Sequence, residues 1–170
     1  MISDYQLPLI KLNFVSQFEI MVKSIYDKST CDEIINRINT LTPVAEQLWG
    51  TMNVGQMLAH CKTGIEVALG EKTVKRIFIG YILGPLFKSS FYNEKPFSKN
   101  IATAEIFKMQ GEFDFDFEKQ ELIKKILQFY EGGPSKCTTE PHGFFGHLTP
   151  QQWGIGMYKH LDHHLRQFGV

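Results

Sequence analysis

Three of the six histidines fall in one run near the end of the chain, YKHLDHHLRQF at 158–168. His160 and His164 are four residues apart. On a helix that spacing puts them on one face with Cβ atoms about 5–6 Å apart, a workable bite for one metal ion. The same stripe carries Trp153, Met157, Leu161 and Phe168, so this face points inward. Imidazoles on the core side of a helix need partners, because an unpaired buried polar group costs about 1–3 kcal/mol. A metal ion would satisfy both rings. The alternative is a pair packed and hydrogen-bonded in the core without metal. His60, beside a second apolar stripe, offers a third inward imidazole.

Three neutral imidazoles without a carboxylate leave an ion with open positions, a catalytic style of site rather than a closed structural one. Commoner metal motifs are absent. H-E-x-x-H needs Glu after its first His, and Leu161-Asp162 follow His160. H-x-x-E-H fails because His163 stands where Glu is needed, and no Glu-x-x-His pair exists for a di-iron centre. Imidazole suits zinc, nickel, iron or copper. Zinc and nickel are the first candidates here, iron and manganese the next. His163 lies about 100° from His164 and reads as a rim residue. His142 sits in the loop EPHGFFGHLTP, within reach of an open position or at the surface, as does His147. Phe144, Phe145, Trp153, Met157 and Gln56 complete a candidate pocket. No G-x-S-x-G, G-x-G-x-x-G or Walker loop is present.

Four amphipathic segments must carry these groups. The spacing of Ile34, Ile35, Ile38 and Leu41 predicts a helix over 30–41, capped by Ser29 or Thr30, with Asp32 and Glu33 in its first turn. A second runs over 53–69 from Asn53 to a stop at Gly70. A third covers 116–130 and ends at Gly132-Gly133-Pro134. The fourth covers 150–168, with Thr149 as N-cap, Pro150 in the first turn and Gln152 completing a capping box. Strands are not expected. The connection between helices two and three is long and partly irregular, and reads as a lid or pocket wall. Within it, Ile77–Phe87 (IFIGYILGPLF) reads as a short covering helix. It is about half the roughly 20 residues a bilayer span needs. Lys72, Lys75, Arg76, Lys88, Lys95 and Lys99 read as a solvated basic face.

A chain of 170 residues with 43% hydrophobic and 21% charged composition fits one folded domain. Eighteen basic against eighteen acidic residues give no general attraction to nucleic acid or anionic membrane. Cys31, Cys61 and Cys137 are scattered, which favours reduced thiols and a cytoplasmic setting, with Cys61 as a packing residue. Lys11 and Asn13 interrupt the early apolar residues, so no secretory signal is expected. Met21 opens MVKSIYDKST, which reads like a natural start. Residues 1–20 are accordingly taken as an extension and 21–170 as the domain.

Three segments together resemble a bacterial DinB-like family of unknown function: WGTMNVGQMLAHC (49–61), PHGFFGHLTP (141–150) and WGIGMYKHLDHHLRQFGV (153–170). The resemblance spans about residues 21–170. It implies an all-α, four-helix bundle of the DinB/YfiT kind, up-down-down-up, with a metal on His60 of the second helix and the His160/His164 pair of the fourth. Relatives of this kind include transferases and isomerases that use low-molecular-weight thiols, and many pair as homodimers. The expectation is a metal-dependent thiol S-transferase or hydrolase acting on a small molecule, without nucleic-acid or membrane partners. The alternatives are a non-catalytic metal- or ligand-binding bundle and a structural protein with no metal.

Overall fold

The computed structural model describes residues 22–101 and 104–170, so the expectation for residues 1–20 lies outside it. Five α-helices follow in order: α1 (Lys28–Thr40), α2 (Val54–Ala68), α3 (Phe78–Tyr92), α4 (Phe115–Gly132) and α5 (Pro150–Gln167). Short 3-10 turns lie at Glu105–Phe107 and Pro134–Lys136. Among the described residues there is no strand, only an isolated bridge between His142 and Gly146. No described helix is long and apolar enough to cross a membrane.

Periodic apolar residues explain the packing. Helices α1 and α2 each lie against both α4 and α5, which closes a ring of contacts around one core. Ile34, Ile38, Ile65, Ile126 and Leu165 are fully enclosed there. Each such side chain contributes about 1.5–3 kcal/mol relative to exposure.

The two helices that carry the candidate histidines have firm starts. At α5, Thr149 Oγ1 accepts the Gln152 N–H (3.2 Å) and Gln152 Oε1 accepts the Thr149 N–H (3.0 Å), as the T-x-x-Q spacing predicts. At α2, Asn53 and Gln56 form the same reciprocal box, at 2.9 and 3.0 Å. Helix α1 differs from expectation. It begins earlier, after Asp27, so Asp32 and Glu33 fall beyond its first turn and pair instead with Lys28 (2.6 Å) and Lys23 (2.5 Å).

The long connection also differs. The apolar run extends into a full helix, α3, with Pro85 inside it. Proline removes one backbone hydrogen bond and disfavours a helix interior. Packing outweighs that cost. Gly80 and Gly84, residues that weaken a helix on propensity alone, are where α3 meets the 143–145 loop. A Cβ on Gly84 would lie 2.2 Å from Phe144 O, and one on Gly80 would lie 2.8 Å from it. At the far end of α3, Phe91 fills the space that Gly156 of α5 leaves: a Cβ there would approach Phe91 Cε1 to 2.0 Å. The predicted third and fourth helices are therefore α4 and α5.

Because the atom facing Gly84 is backbone, Gly84→Ala should destabilise the fold by about 1–3 kcal/mol. Ser89→Ala, on the exposed side of α3, should change stability by less than about 0.5 kcal/mol. Urea midpoints of the two variants check the contrast.

Candidate metal centre

Helix α2 supplies His60; α5 supplies His160 and His164. Their candidate donor atoms all lie within 4.8 Å of one another. His60 Nε2 is 2.9 Å from His160 Nε2. The three rings stand 4.6–4.9 Å apart, centroid to centroid. Four-coordinate zinc with bonds of about 2.0–2.1 Å holds neighbouring ligand nitrogens about 3.3 Å apart, so the close His60–His160 pair would open slightly and wider spacings would close onto one ion. Gly64, one turn beyond His60, makes the room: a Cβ there would lie 2.9 Å from His160 Nδ1 and Cε1.

The outward hydrogen bonds fix how two of the rings present themselves. His60 Nδ1 is 2.9 Å from the Phe107 carbonyl oxygen, which can only accept, so Nδ1 carries the proton and Nε2 a lone pair. His164 Nδ1 is 2.8 Å from Gln167 Oε1. The Gln167 amide is oriented by its own Nε2–H, which donates to Trp49 O at 2.6 Å. His164 Nδ1 is thus the donor, and its Nε2 lone pair is free. Orienting partners of this sort are typical behind metal-bound imidazoles. His160 Nδ1 is enclosed and has no hydrogen-bond partner. One His160–His60 hydrogen bond is all that the cluster can form internally. A cation accepting the converging lone pairs fits this donor set.

Burial also keeps the rings in the ligand form. It lowers the pKa of His60, against an opposing pull from the Phe107 hydrogen bond. It pushes His164 down to about 3 and His160 well below the usual histidine value, with the neighbouring histidines adding to both. Neutral imidazole at pH 7 is the species that binds metal.

The remaining candidates take different places. His163 stands edge-on to His164 (5.0 Å) and to Trp49 (5.7 Å). It lines a cavity of about 230 Å³ with Trp49, Phe97, Lys99, Lys159 and Arg166. Lys159 is buried there, donates to Ser90 O and Asn93 Oδ1, and is lowered to about 8 by burial. His142 is packed, with its ring against Phe91, Phe145 and Trp153. Its Nδ1 accepts the N–H groups of Phe144 (3.1 Å) and Phe145 (3.2 Å), so it organises the loop that α3 leans on. His147 is exposed. Gln56 does not face the histidines: Asn53 N–H occupies its Oε1, and its Nε2 donates to Gly111 O. Trp153 and Met157 are buried in the core. Cys61 is buried with its Sγ 3.7 Å from Met57 Sδ, and all three cysteines are free.

Sequence reasoning missed Gln167, Gly64 and the Phe107 carbonyl. Gly64 had a signal, since an isolated glycine inside a helical pattern usually has a packing reason. Gln167 sits one turn after His164 within the same motif, but its purpose depends on Trp49.

Over the described residues, helices and cluster together define an all-helical fold with a largely buried tri-histidine group. The chain belongs to the family described as "Protein of unknown function (DUF1569)", which matches residues 25–169. No curated protein and no solved structure matches it.

His142 carries a pH prediction. Its pKa is lowered by burial to about 4 in the folded chain, against about 6.5 unfolded. Its contribution to stability is complete above pH 6.5 and is lost as pH falls from there toward 4. In chelator-treated protein, His142→Asn keeps an acceptor for the loop and removes this titration. Urea midpoints from pH 7 to 4 should fall less steeply in the variant than in the wild type.

Proposed function

We propose that His60, His160 and His164 hold one divalent metal ion, and that the protein is a metal-dependent enzyme for a small-molecule substrate, a thiol S-transferase or a hydrolase. The observation that carries this reading is the convergence of the rings. Two of the three have their protons committed outward, to Phe107 and Gln167, and present lone pairs toward the third. A bound divalent ion supplies Lewis acidity, lowering the pKa of a thiol or water near it. Because the cluster contains no carboxylate, the ion's charge is left to favour an anion such as thiolate or hydroxide. Phe107 and Gln167 hold His60 and His164 in their ligand tautomers. His163, between the cluster and the 230 Å³ cavity, is the side chain placed to meet a substrate group lying there.

The resemblance to DinB-like bundles supports the same reading. In such a bundle α1, α2, α4 and α5, which contact one another around the core, would be the four helices, with the histidines on the second and fourth of them. One observation favours a second reading, metal binding without turnover: among the described residues no Asp or Glu joins the cluster to act as a base.

Untagged protein offered zinc, nickel, iron or manganese should retain about one ion per chain. His60→Ala and His164→Ala should retain none while keeping their helical circular dichroism. Gln167→Leu should keep the site but bind about 10–100-fold more weakly. Failure of the wild type to bind any of the four ions would overturn the reading. The loaded protein is then screened with thiols plus electrophiles and with esters; stoichiometric binding with no turnover in either screen selects the second reading.

A further inference from the structure

Helix α3 presents an apolar face to solvent that the metal reading does not use. Phe78, Ile82 and Leu86, one turn apart along the helix, are 80%, 57% and 73% exposed, with Ile79 and Tyr81 flanking them. Most of the large exposed apolar side chains of the described residues fall between Ile77 and Phe87. The opposite side of the helix is occupied, by Gly80 and Gly84 on the Phe144 loop and by Phe91 on α5. A run of exposed apolar side chains on one helix face of a folded protein marks an interaction surface.

The charges around it point to the occupant. From Lys72 to Asn93 the chain has no acidic residue. Over most of the molecule, cations are paired: Lys23, Lys28, Arg37, Lys62, Lys72, Lys108, Lys124, Lys125 and Arg166 each meet a carboxylate. Lys75, Lys88 and Lys95 have no carboxylate within salt-bridge distance among the described residues. Neither Arg76, stacked on Tyr81, nor Lys99, stacked on Trp49, has one either. Five of the eight described cations without a carboxylate partner therefore lie on α3 or in the stretches that flank it; the other three are Lys119, Lys136 and Lys159. Lys75 precedes the helix, Lys95 follows it, and Lys88 lies about 80° round from Phe78, at the flank of the apolar face.

We infer that α3 is a membrane-contacting helix: its Phe78–Ile82–Leu86 face enters the headgroup boundary of an anionic bilayer, and Lys75, Lys88 and Lys95 meet the lipid phosphates. Apolar area plus basic flanks is the chemistry of an in-plane helix. The balanced net charge of the chain conceals this, because it averages a basic margin with acidic groups elsewhere. A second copy of the chain fits less well. Helix α3 is about 22 Å long, and a single face of it falls short of the roughly 800 Å² per partner in a stable dimer. Antiparallel pairing would also set Lys75 and Arg76 of one copy against Lys88 and Lys95 of the other.

The test is flotation of the full chain with vesicles of phosphatidylcholine alone, or mixed equally with phosphatidylglycerol, at low and high salt. Size-exclusion chromatography with light scattering runs alongside. The wild type should float with the anionic vesicles at low salt and far less at high salt. Lys75→Glu with Lys88→Glu should weaken this at least about tenfold. Ile82→Glu with Leu86→Glu should weaken it comparably, with an unchanged melting midpoint because both positions are exposed. Three results would each overturn the inference. The first is no flotation of the wild type with anionic vesicles. The second is undiminished flotation of the Ile82/Leu86 variant. The third is a wild-type dimer that the Ile82/Leu86 variant splits, which assigns the face to a second copy.

Discussion

Three imidazoles must stay uncharged while packed between α2 and α5, and much of the surrounding structure serves that requirement. A neutral imidazole has one proton and one lone pair, on opposite sides of the ring. Here the protons of His60 and His164 are turned outward, onto Phe107 and Gln167, so the lone pairs turn inward. The arrangement depends on helix register as well as on side chains. His60 is seven residues (60 − 53) beyond the Asn53 cap and His160 eleven (160 − 149) beyond the Thr149 cap, about two and three whole turns. Each capping box therefore fixes both where its helix starts and the direction in which the histidine leaves it. Gly64 then gives the rings space to approach.

Features with a local cause could be read from the sequence. The T-P-x-Q start and the i, i+4 histidines of α5 are statements about one helix, and the structure has both. The third histidine was legible as a polar residue beside an apolar stripe. Features with a distant cause were not legible. Gln167 is an ordinary polar residue until the Trp49 carbonyl, 118 residues away, is beside it. The Phe107 contribution comes from backbone, which leaves no mark on residue type. Gly80, Gly84 and Pro85 look like helix breakers in isolation. The loop they lie against makes the two glycines necessary and outweighs the cost of the proline. His142 has the look of a surface histidine because Phe91, Phe145 and Trp153 come from three separate segments.

Helix α3 joins two kinds of surface in one element. Its glycine side is close to backbone and admits no side chain; its other side is broad, apolar and edged with lysine and arginine. The inner contact is with the loop that His142 organises, and the outer face has no partner among the described residues. Composition averages such a helix away, since the positive charge at its margins is balanced by acidic residues on other elements. Segregation of charge by element, rather than its total, describes this protein's surface.

The carbonyl of Phe107 lies in the connection between α3 and α4. This stretch is also tied down by Lys99 over the Trp49 ring and by Gln56 to Gly111. The middle tie grips the back of one histidine. Loop position and imidazole orientation are therefore thermodynamically linked, and linkage acts in both directions. Whatever fixes the front of the His60 ring also makes the loop harder to lift. Whatever lifts the loop frees the ring to rotate and to exchange its proton between nitrogens. A single hydrogen bond thus couples this connecting segment to the histidine cluster, so that a change at either bears on the other.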